Sequence, residues 1–265
     1  MTNASEGIVG RHFAQVARRY EGGRHYEKVD FWAQEALRLG RPGPGDRLLD
    51  VGSGTGLFAC RLSQLWPGPT IGLDPSLPML AQARQRTHTD VAAEDQAREP
   101  ILLAGRAESL PFAGNSFRCI FASQAWHHFD DKALAAKELH RVLAIGGVLL
   151  IKTFSHDQLR RKPAFVFFPE MLASQLRAYT DVPELKDLLR AKGFSQVTES
   201  YHCWEGYATL CDYVEAAEGR LYSMYSCISD EVRQRGIQAL RQMIQREGNA
   251  KVRNDDVNTL VVARK

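Results

Sequence analysis

The chain has 265 residues, of which 44% are hydrophobic and 25% charged, with 34 basic and 31 acidic side chains giving a net charge of +3. Those proportions exclude wholesale disorder, collagen-like repeats and a disulfide-stapled miniprotein, and they allow a sizeable core. The longest apolar runs, at 148–151 and 164–168, fall far short of the ~18 residues that a membrane span needs. The opening residues, MTNASEGIVGRH, lack the basic and then apolar layout of a secretory signal, so a cytoplasmic chain is expected. Cys60, Cys119, Cys203, Cys211 and Cys227 form no C-x-x-C pair. They are expected as separate thiols in a reducing compartment, with neither a disulfide framework nor a zinc site. The basic clusters Arg18/Arg19/Arg24 and Arg160/Arg161/Lys162 are read as solvated faces, with contact to an acidic substrate as the alternative.

Near the start, Phe13, Val16, Ala17 and Tyr20 fall on one face of a predicted helix. A second helix is predicted to open at Asp30 as N-cap and to bury Trp32, Ala36 and Leu39. Residues 40–46, GRPGPGD, hold three glycines and two prolines and cannot continue it. RLLDV, at 47–51, is then a strand running into the glycines of GSGTG, and Leu57–Leu65 returns to helical spacing. Thr70–Asp74 is a second strand, and Ser76 and Pro78 mark the start of the next helix. A polar stretch at 87–100 leads to strands at Ile101–Ala104 and Phe117–Ser123. A helix at 133–143, closed by Gly146 and Gly147, precedes a fifth strand at 148–154. Apolar strands alternating with helices indicate an α/β fold with a parallel sheet covered on both faces.

The last third reads differently. Pro183 and Gly193 bracket a helix that buries Leu185, Leu188 and Leu189. Residues 196–204 and 258–263 are strand-like and could pair antiparallel at the sheet edge. Between them lie two helical stretches, Leu210/Tyr213/Val214/Ala217 and Val232/Gly236/Leu240/Met243, the second starting at Ser229. A minimal doubly wound sheet does not need them, so a helical cap is expected. The predicted organisation is an N-terminal helical lid at 1–45, a cofactor core at 46–154, and a remainder at 155–265 that completes the sheet and carries the cap.

The strongest chemical signal is Asp50-Val51-Gly52-Ser53-Gly54-Thr55-Gly56, placed where a strand hands over to a helix. Backbone N–H groups there point at whatever sits above the sheet, at the carboxyl ends of the strands where α/β folds bind ligands. A dinucleotide fingerprint would need a third glycine where Leu57 stands, and there is no Lys-Ser/Thr of a P-loop. Asp74, ending the second strand, can accept both hydroxyl hydrogens of a ribose; its plainer role is to cap the next helix.

Further signals follow in order: RAESLPF at 106–112, SQAWHHF at 123–129, and ELHRVLAIGGVLLIKT at 138–153. With LLDVGSGTG and GLDPSLPML, they make residues 47–154 closely resemble the class I S-adenosylmethionine-dependent methyltransferases, especially the type 11 small-molecule group. The resemblance implies a Rossmann-like seven-stranded sheet, mostly parallel with an antiparallel last strand, and S-adenosyl-L-methionine as cofactor, leaving as S-adenosyl-L-homocysteine. It assigns Gly52, Ser53, Gly54 and Gly56, behind Asp50, to the methionine and ribose side, Asp74 to the ribose diol and Met79 to the adenine face. Ala107 and Glu108 fall at the adenine edge, Ser123 and Gln124 flank the methionyl portion, and Tyr20 closes over the site. Arg106 stands where relatives often carry Asp, and arginine has no acceptor for the adenine amino group.

The expected activity is in-line methyl transfer to a small-molecule acceptor, driven largely by orientation in a dry site. Tyr20, Trp126, His128 and Trp204 are the candidate acceptor contacts, with core packing as the alternative for Trp126. His127 and His128 are candidate bases for a hydroxyl or thiol, with local scaffolding as the alternative, and His25 is a weaker candidate. The aromatic run Tyr201, Trp204, Tyr207, Tyr213, Tyr222 and Tyr225 suits an apolar or ring-bearing acceptor. No ligand spacing suggests a metal. Ser123-Gln124-Ala125-Trp126 lacks the proline-rich motif of base methyltransferases, and no basic tail is present, which argues against nucleic acid. A nucleic-acid or protein methyltransferase, or a non-catalytic S-adenosylmethionine-binding regulator, is the alternative function.

Overall fold

The structure, a computed structural model, describes residues 26–89 and 98–265. The first predicted helix, with Tyr20, the Arg18/Arg19/Arg24 cluster and His25, lies outside the described residues. Helix α1, Tyr26–Gly40, begins a turn before the predicted cap at Asp30, because its buried face already starts at Val29 and continues through Trp32, Ala33 and Ala36. Asp30 instead accepts a hydrogen bond from Arg61 Nε at 2.5 Å.

Strand β1, Leu48–Val51, is buried at every position and is followed by α2, Leu57–Leu65. Then come β2 (Thr70–Asp74), α3 (Leu77–Thr89), β3 (Ile101–Ala104), β4 (Phe117–Ser123), α4 (Lys132–Val142) and β5 (Leu143–Thr153). Asp131 caps α4, its carboxylate accepting from Ala133 N at 3.0 Å and Leu134 N at 2.9 Å. Gly146 and Gly147 do not close this helix; they lie inside β5. Its register against β4 jumps from Phe117↔Leu143 to Cys119↔Val148, and Gly146 takes φ +73° in the resulting irregularity. The helix therefore passes straight into the strand, with the glycines absorbing the mismatch.

After β5 follow α5 (His156–Arg160), α6 (Ala164–Phe167), α7 (Pro169–Ala178), α8 (Val182–Ala191) and β6 (Ser195–Trp204). The chain ends with β7 (Tyr207–Thr209), α9 (Leu210–Glu218), α10 (Asp230–Glu247), β8 (Lys251–Arg253) and β9 (Asp256–Arg264). The main sheet has seven strands in the order β3-β2-β1-β4-β5-β9-β6, and its first five strands pair in parallel. β9 runs the other way. Just past its end, Lys265 exchanges backbone hydrogen bonds with Gly146 (3.0 Å) and Gly147 (3.3 Å) near the start of β5. Ser195 Oγ, at the start of β6, donates to Arg264 O at 3.2 Å. The late antiparallel pair thus exists, with β9 inserted between β5 and the edge strand.

The described residues divide into two compact units. Residues 26–153, 183–200 and 260–265 carry most of the sheet with α1 to α4 and most of α8. Their core is made by Leu48, Leu49, Phe121, Leu149 and Leu150, the apolar strand residues read from sequence. Residues 154–182 and 201–259 form a mainly helical unit with its own core of Phe165, Phe168, Met171, Tyr213, Tyr225 and Leu240. Local chemistry fixes its helix starts: capping boxes at Ser155/Gln158 and Thr209/Asp212, Pro169 in the first turn of α7, and Ser229 Oγ accepting from Val232 N at 3.2 Å. The ribbon β7–β8, which the sequence reading lacks, pairs Tyr207 with Arg253 and Thr209 with Lys251. Among the described residues no helix is long and apolar enough to cross a membrane.

Candidate functional site

The loop after β1 turns back over β2. Gly52 N and Ser53 N both donate to Leu73 O, at 2.7 and 3.1 Å, and Gly56 N donates to Ser53 O at 2.9 Å. Gly52, Gly54 and Gly56 have φ of +72°, +55° and +75°, a region closed to most side chains. They do so for different reasons. A Cβ on Gly52 would stand 2.5 Å from Ala125 Cβ, and one on Gly56 would stand 2.7 Å from Ala83 Cβ, so both positions are packed. A Cβ on Gly54 would meet nothing within 4 Å. Gly56 also begins α2 without any side-chain cap, leaving that helix start with backbone donors to offer.

Asp74 is 8% exposed. Its Oδ2 accepts from Gly54 N and its Oδ1 from Ser76 N, both at 2.8 Å, so the carboxylate clamps the glycine loop and caps the next helix turn at once. Burial raises its pKa above the ordinary carboxylate range, and the bonds from Ser76 and Gly54 pull it back. Each oxygen keeps a further lone pair, so the clamp does not exhaust its acceptors. Asp50 and Met79 are both buried. Ser53 Oγ is buried without a partner and sits close to where a Cβ of Gly72 would be, pointing back at β2 rather than outward. Of Ser53, then, only the backbone borders the open side of the loop.

The loops after β3 and β4 are tied together. Glu108 accepts from Asp130 N at 2.8 Å, and the Arg106 guanidinium pairs with Asp130 and, at 3.5 Å, with Glu108. Arg106 thus serves as a bridge between loops. Buried Ala107 sits within this link. Burial lowers the pKa of Lys132 despite the attraction of Asp130 and Glu108. Below it, Glu138 accepts from Leu110 N at 3.0 Å, while Arg141 donates to Leu110 O at 3.0 Å and Phe112 O at 2.7 Å. The ELHRV segment is therefore the fastener of the SLPF segment.

Ser123 ends β4 half-buried, and Gln124 takes φ +51°, its N–H donating to Lys152 O at 2.9 Å. A non-glycine in that region is strained, which is characteristic of functional turns. A single 3-10 turn, Trp126–His128, follows. Trp126 is 1% exposed and packs edge-on against Phe129 at 5.5 Å, so its ring is a core element of the turn. The rings of His127 and His128 lie 3.8 Å apart. Burial first, then the charges of His128 and Lys132, hold His127 well below the usual imidazole range. Lys152, the one charge in the apolar run VLLIKTF, is opposite Ser123 in the β4–β5 register and was not singled out by the sequence reading; its Nζ lies 5.2 Å from the Trp32 ring and 5.8 Å from Phe58. Trp204 lies in the helical unit, half-buried and stacked on His202 at 6.1 Å. Tyr20 lies outside the described residues.

The loop offers an open face at Gly54 with the buried Asp74 carboxylate beside it. Among the described residues no cluster of His, Cys, Asp or Glu could hold a metal ion. The family model described as a methyltransferase domain matches residues 49–151. A ubiquinone/menaquinone biosynthesis C-methyltransferase of Pseudomonas putida is 30% identical over 223 residues, covering 73% of this chain and 83% of that protein. A demethylmenaquinone methyltransferase of Thermus thermophilus is 32% identical over 187 residues, covering 62% of this chain and 81% of that protein. The crystal structure of a candidate methyltransferase of an antibiotic biosynthesis pathway in Anabaena variabilis superposes with a TM-score of 0.64 at 17% identity, over 89% of this chain and 97% of that one, a likeness of fold. The chain belongs to the class I S-adenosylmethionine-dependent methyltransferases.

Proposed function

We propose that this methyltransferase acts on an apolar, ring-bearing small molecule in the cytoplasm, with the glycine loop and Asp74 holding the cofactor. The observation that carries the cofactor assignment is the open face of Gly54 beside the Asp74 carboxylate. In this reading Asp74 uses its remaining lone pairs on the ribose diol, Met79 backs the adenine, and Ala107 with Glu108 borders its edge. Ser123 and Gln124 flank the methionyl tail. The names of the quinone-biosynthesis relatives support a ring-bearing acceptor.

The cofactor supplies an electrophilic methyl on a sulfonium. The chain supplies orientation and dryness, and well-aligned reactants gain the equivalent of roughly 7–11 kcal/mol. Where the acceptor must lose a proton, His128 is the better base of the pair. His127 stays neutral at pH 7 but is a weak proton acceptor, held down by its burial. Tyr20 remains an acceptor-side candidate, and Trp126, itself buried, acts only through the turn it anchors.

Calorimetry with S-adenosylhomocysteine tests the cofactor site. Asp74→Ala should weaken binding by about 1–3 kcal/mol, the cost of unsatisfying buried polar partners. Unchanged affinity would remove Asp74 from the site, and tight binding of a nicotinamide dinucleotide would overturn the whole assignment. His128→Ala should lower kcat by roughly 10²-fold or more for a hydroxyl acceptor, leaving cofactor affinity nearly unchanged.

A further inference from the structure

The carboxyl ends of β4 and β5 change character within one repeat of the pleat. Phe121 and Leu150 are register partners, both buried, and Phe58 packs edge-on against Phe121 with ring centroids 5.2 Å apart. Two residues further along, Ser123 and Lys152 are partners in the same register, and both are half-buried. Alternate residues of a strand share a face, so Ser123 and Lys152 stand side by side on the face of Phe121 and Leu150. An apolar layer thus gives way to a hydroxyl beside an ammonium, at the strand ends where α/β sheets bind ligands.

The lysine turns toward the glycine loop. Its Nζ lies 5.2 Å from the ring of Trp32 on α1 and 5.8 Å from that of Phe58, which is in the first turn after Gly56. The turn after β4 closes the same corner: Gln124 N donates to Lys152 O at 2.9 Å, and a Cβ on Gly52 would stand 2.5 Å from Ala125 Cβ. All of these residues belong to the sheet unit. Rings at such distances steady an ammonium without cancelling its charge. A fixed positive charge here favours an anion, and the cofactor offers one in the carboxylate of its methionyl tail, the part assigned to Ser123 and Gln124.

We propose that Lys152 is a cofactor-binding residue, its ammonium taking the carboxylate of the methionyl tail with the Ser123 hydroxyl beside it. The tail also carries an amino group, which a lysine repels, so the same contact orients the tail. The proposal rests on the methyltransferase assignment and adds to it a residue that holds the amino-acid end of the cofactor.

The test is calorimetry on the full chain with two ligands, S-adenosylhomocysteine and 5′-methylthioadenosine, which carries a methyl in place of the amino-acid tail. Lys152→Met should weaken S-adenosylhomocysteine roughly 10–100-fold, the range of a charged hydrogen bond, and leave 5′-methylthioadenosine within about twofold. Lys152→Arg keeps the charge and should recover most of the loss. Reading both ligands on one variant separates the tail contact from general damage, which would weaken both alike. Lys152→Gln, equally uncharged, takes the place of Lys152→Met should that variant not fold. Unchanged affinity of the uncharged variant for S-adenosylhomocysteine overturns the proposal, and so does an equal loss for both ligands. A wild type that binds neither ligand overturns the methyltransferase assignment itself, a failure distinct from the other two.

Discussion

In the sheet unit, the loop after β1 is shaped by backbone N–H groups that donate to Leu73 O and to the buried Asp74 carboxylate, with three glycines in the left-handed region. In the helical unit, the order comes from side chains, a core of rings and aliphatic groups in which Phe168 stands edge-on to Tyr225 at 5.3 Å. The first arrangement is built from atoms that every residue possesses, so substitution disturbs it mainly through conformation. The second depends on which side chains the helices carry, so substitution disturbs it mainly through packing.

The largest expected effect tests the conformational half of that contrast. Gly52→Ala combines a left-handed φ with a contact of 2.5 Å to Ala125 Cβ, and should cost about 2–5 kcal/mol of stability by denaturant unfolding. Gly54→Ala shares the backbone strain but meets no atom, so it should cost only about 1–2 kcal/mol yet weaken S-adenosylhomocysteine binding more than about tenfold. If the two variants lost stability equally, packing would not distinguish these glycines.

Next comes the fastener below the loop at 106–112. Glu138→Ala removes bonds to Arg141 and Leu110 N and should destabilise by about 1.5–3 kcal/mol. The hydrogen bond from Arg141 is the main cause holding Glu138 below its ordinary value, so its contribution is present above the unfolded carboxylate range and is lost as pH falls through the folded value. Unfolding measured from pH 7 down to acid should therefore show a smaller decline for Glu138→Gln than for the wild type. Parallel curves would assign the bond no role in acid stability.

Gly236→Ala probes the other unit. Its Cβ would stand 2.3 Å from Phe168 Cε1, an overpacking expected to cost about 1–3 kcal/mol. Cofactor affinity should not move, and a parallel loss of S-adenosylhomocysteine binding would show that the units are not energetically separable. The smallest effect is at His127. Its folded pKa is depressed, so as pH drops below the ordinary imidazole range the unfolded state binds a proton first and stability declines. His127→Phe should flatten that decline between pH 7 and 5, and an unaltered slope would place the titration elsewhere.

Much of the sheet unit is legible because its determinants are local. Apolar runs set β1, β2 and β4, the glycines mark the turn between β1 and α2, and Asp74 falls at a strand end. The misreadings come where a long-range partner overrides a local cue. Gly146 and Gly147 resemble a helix stop, yet the pairing of β5 with β4 and with Lys265 draws them into a strand. Asp30 resembles an N-cap, but Val29 before it is already buried and the helix extends backwards to Tyr26. The strained turn at Gln124 carries no glycine and so no local mark.

The amino-acid sequence by itself determined the α/β class, the glycine loop and the position of Asp74, since periodicity and backbone permissiveness act over a few neighbouring residues. Only the tertiary structure decided which glycine faces open space and that Arg106 bridges Asp130 and Glu108 instead of standing alone. It alone sorted the tyrosines, leaving Tyr201 and Tyr207 exposed while burying Tyr213 and Tyr225. Burial and partnership are properties of side chains brought together from distant points of the chain, and no local pattern encodes them.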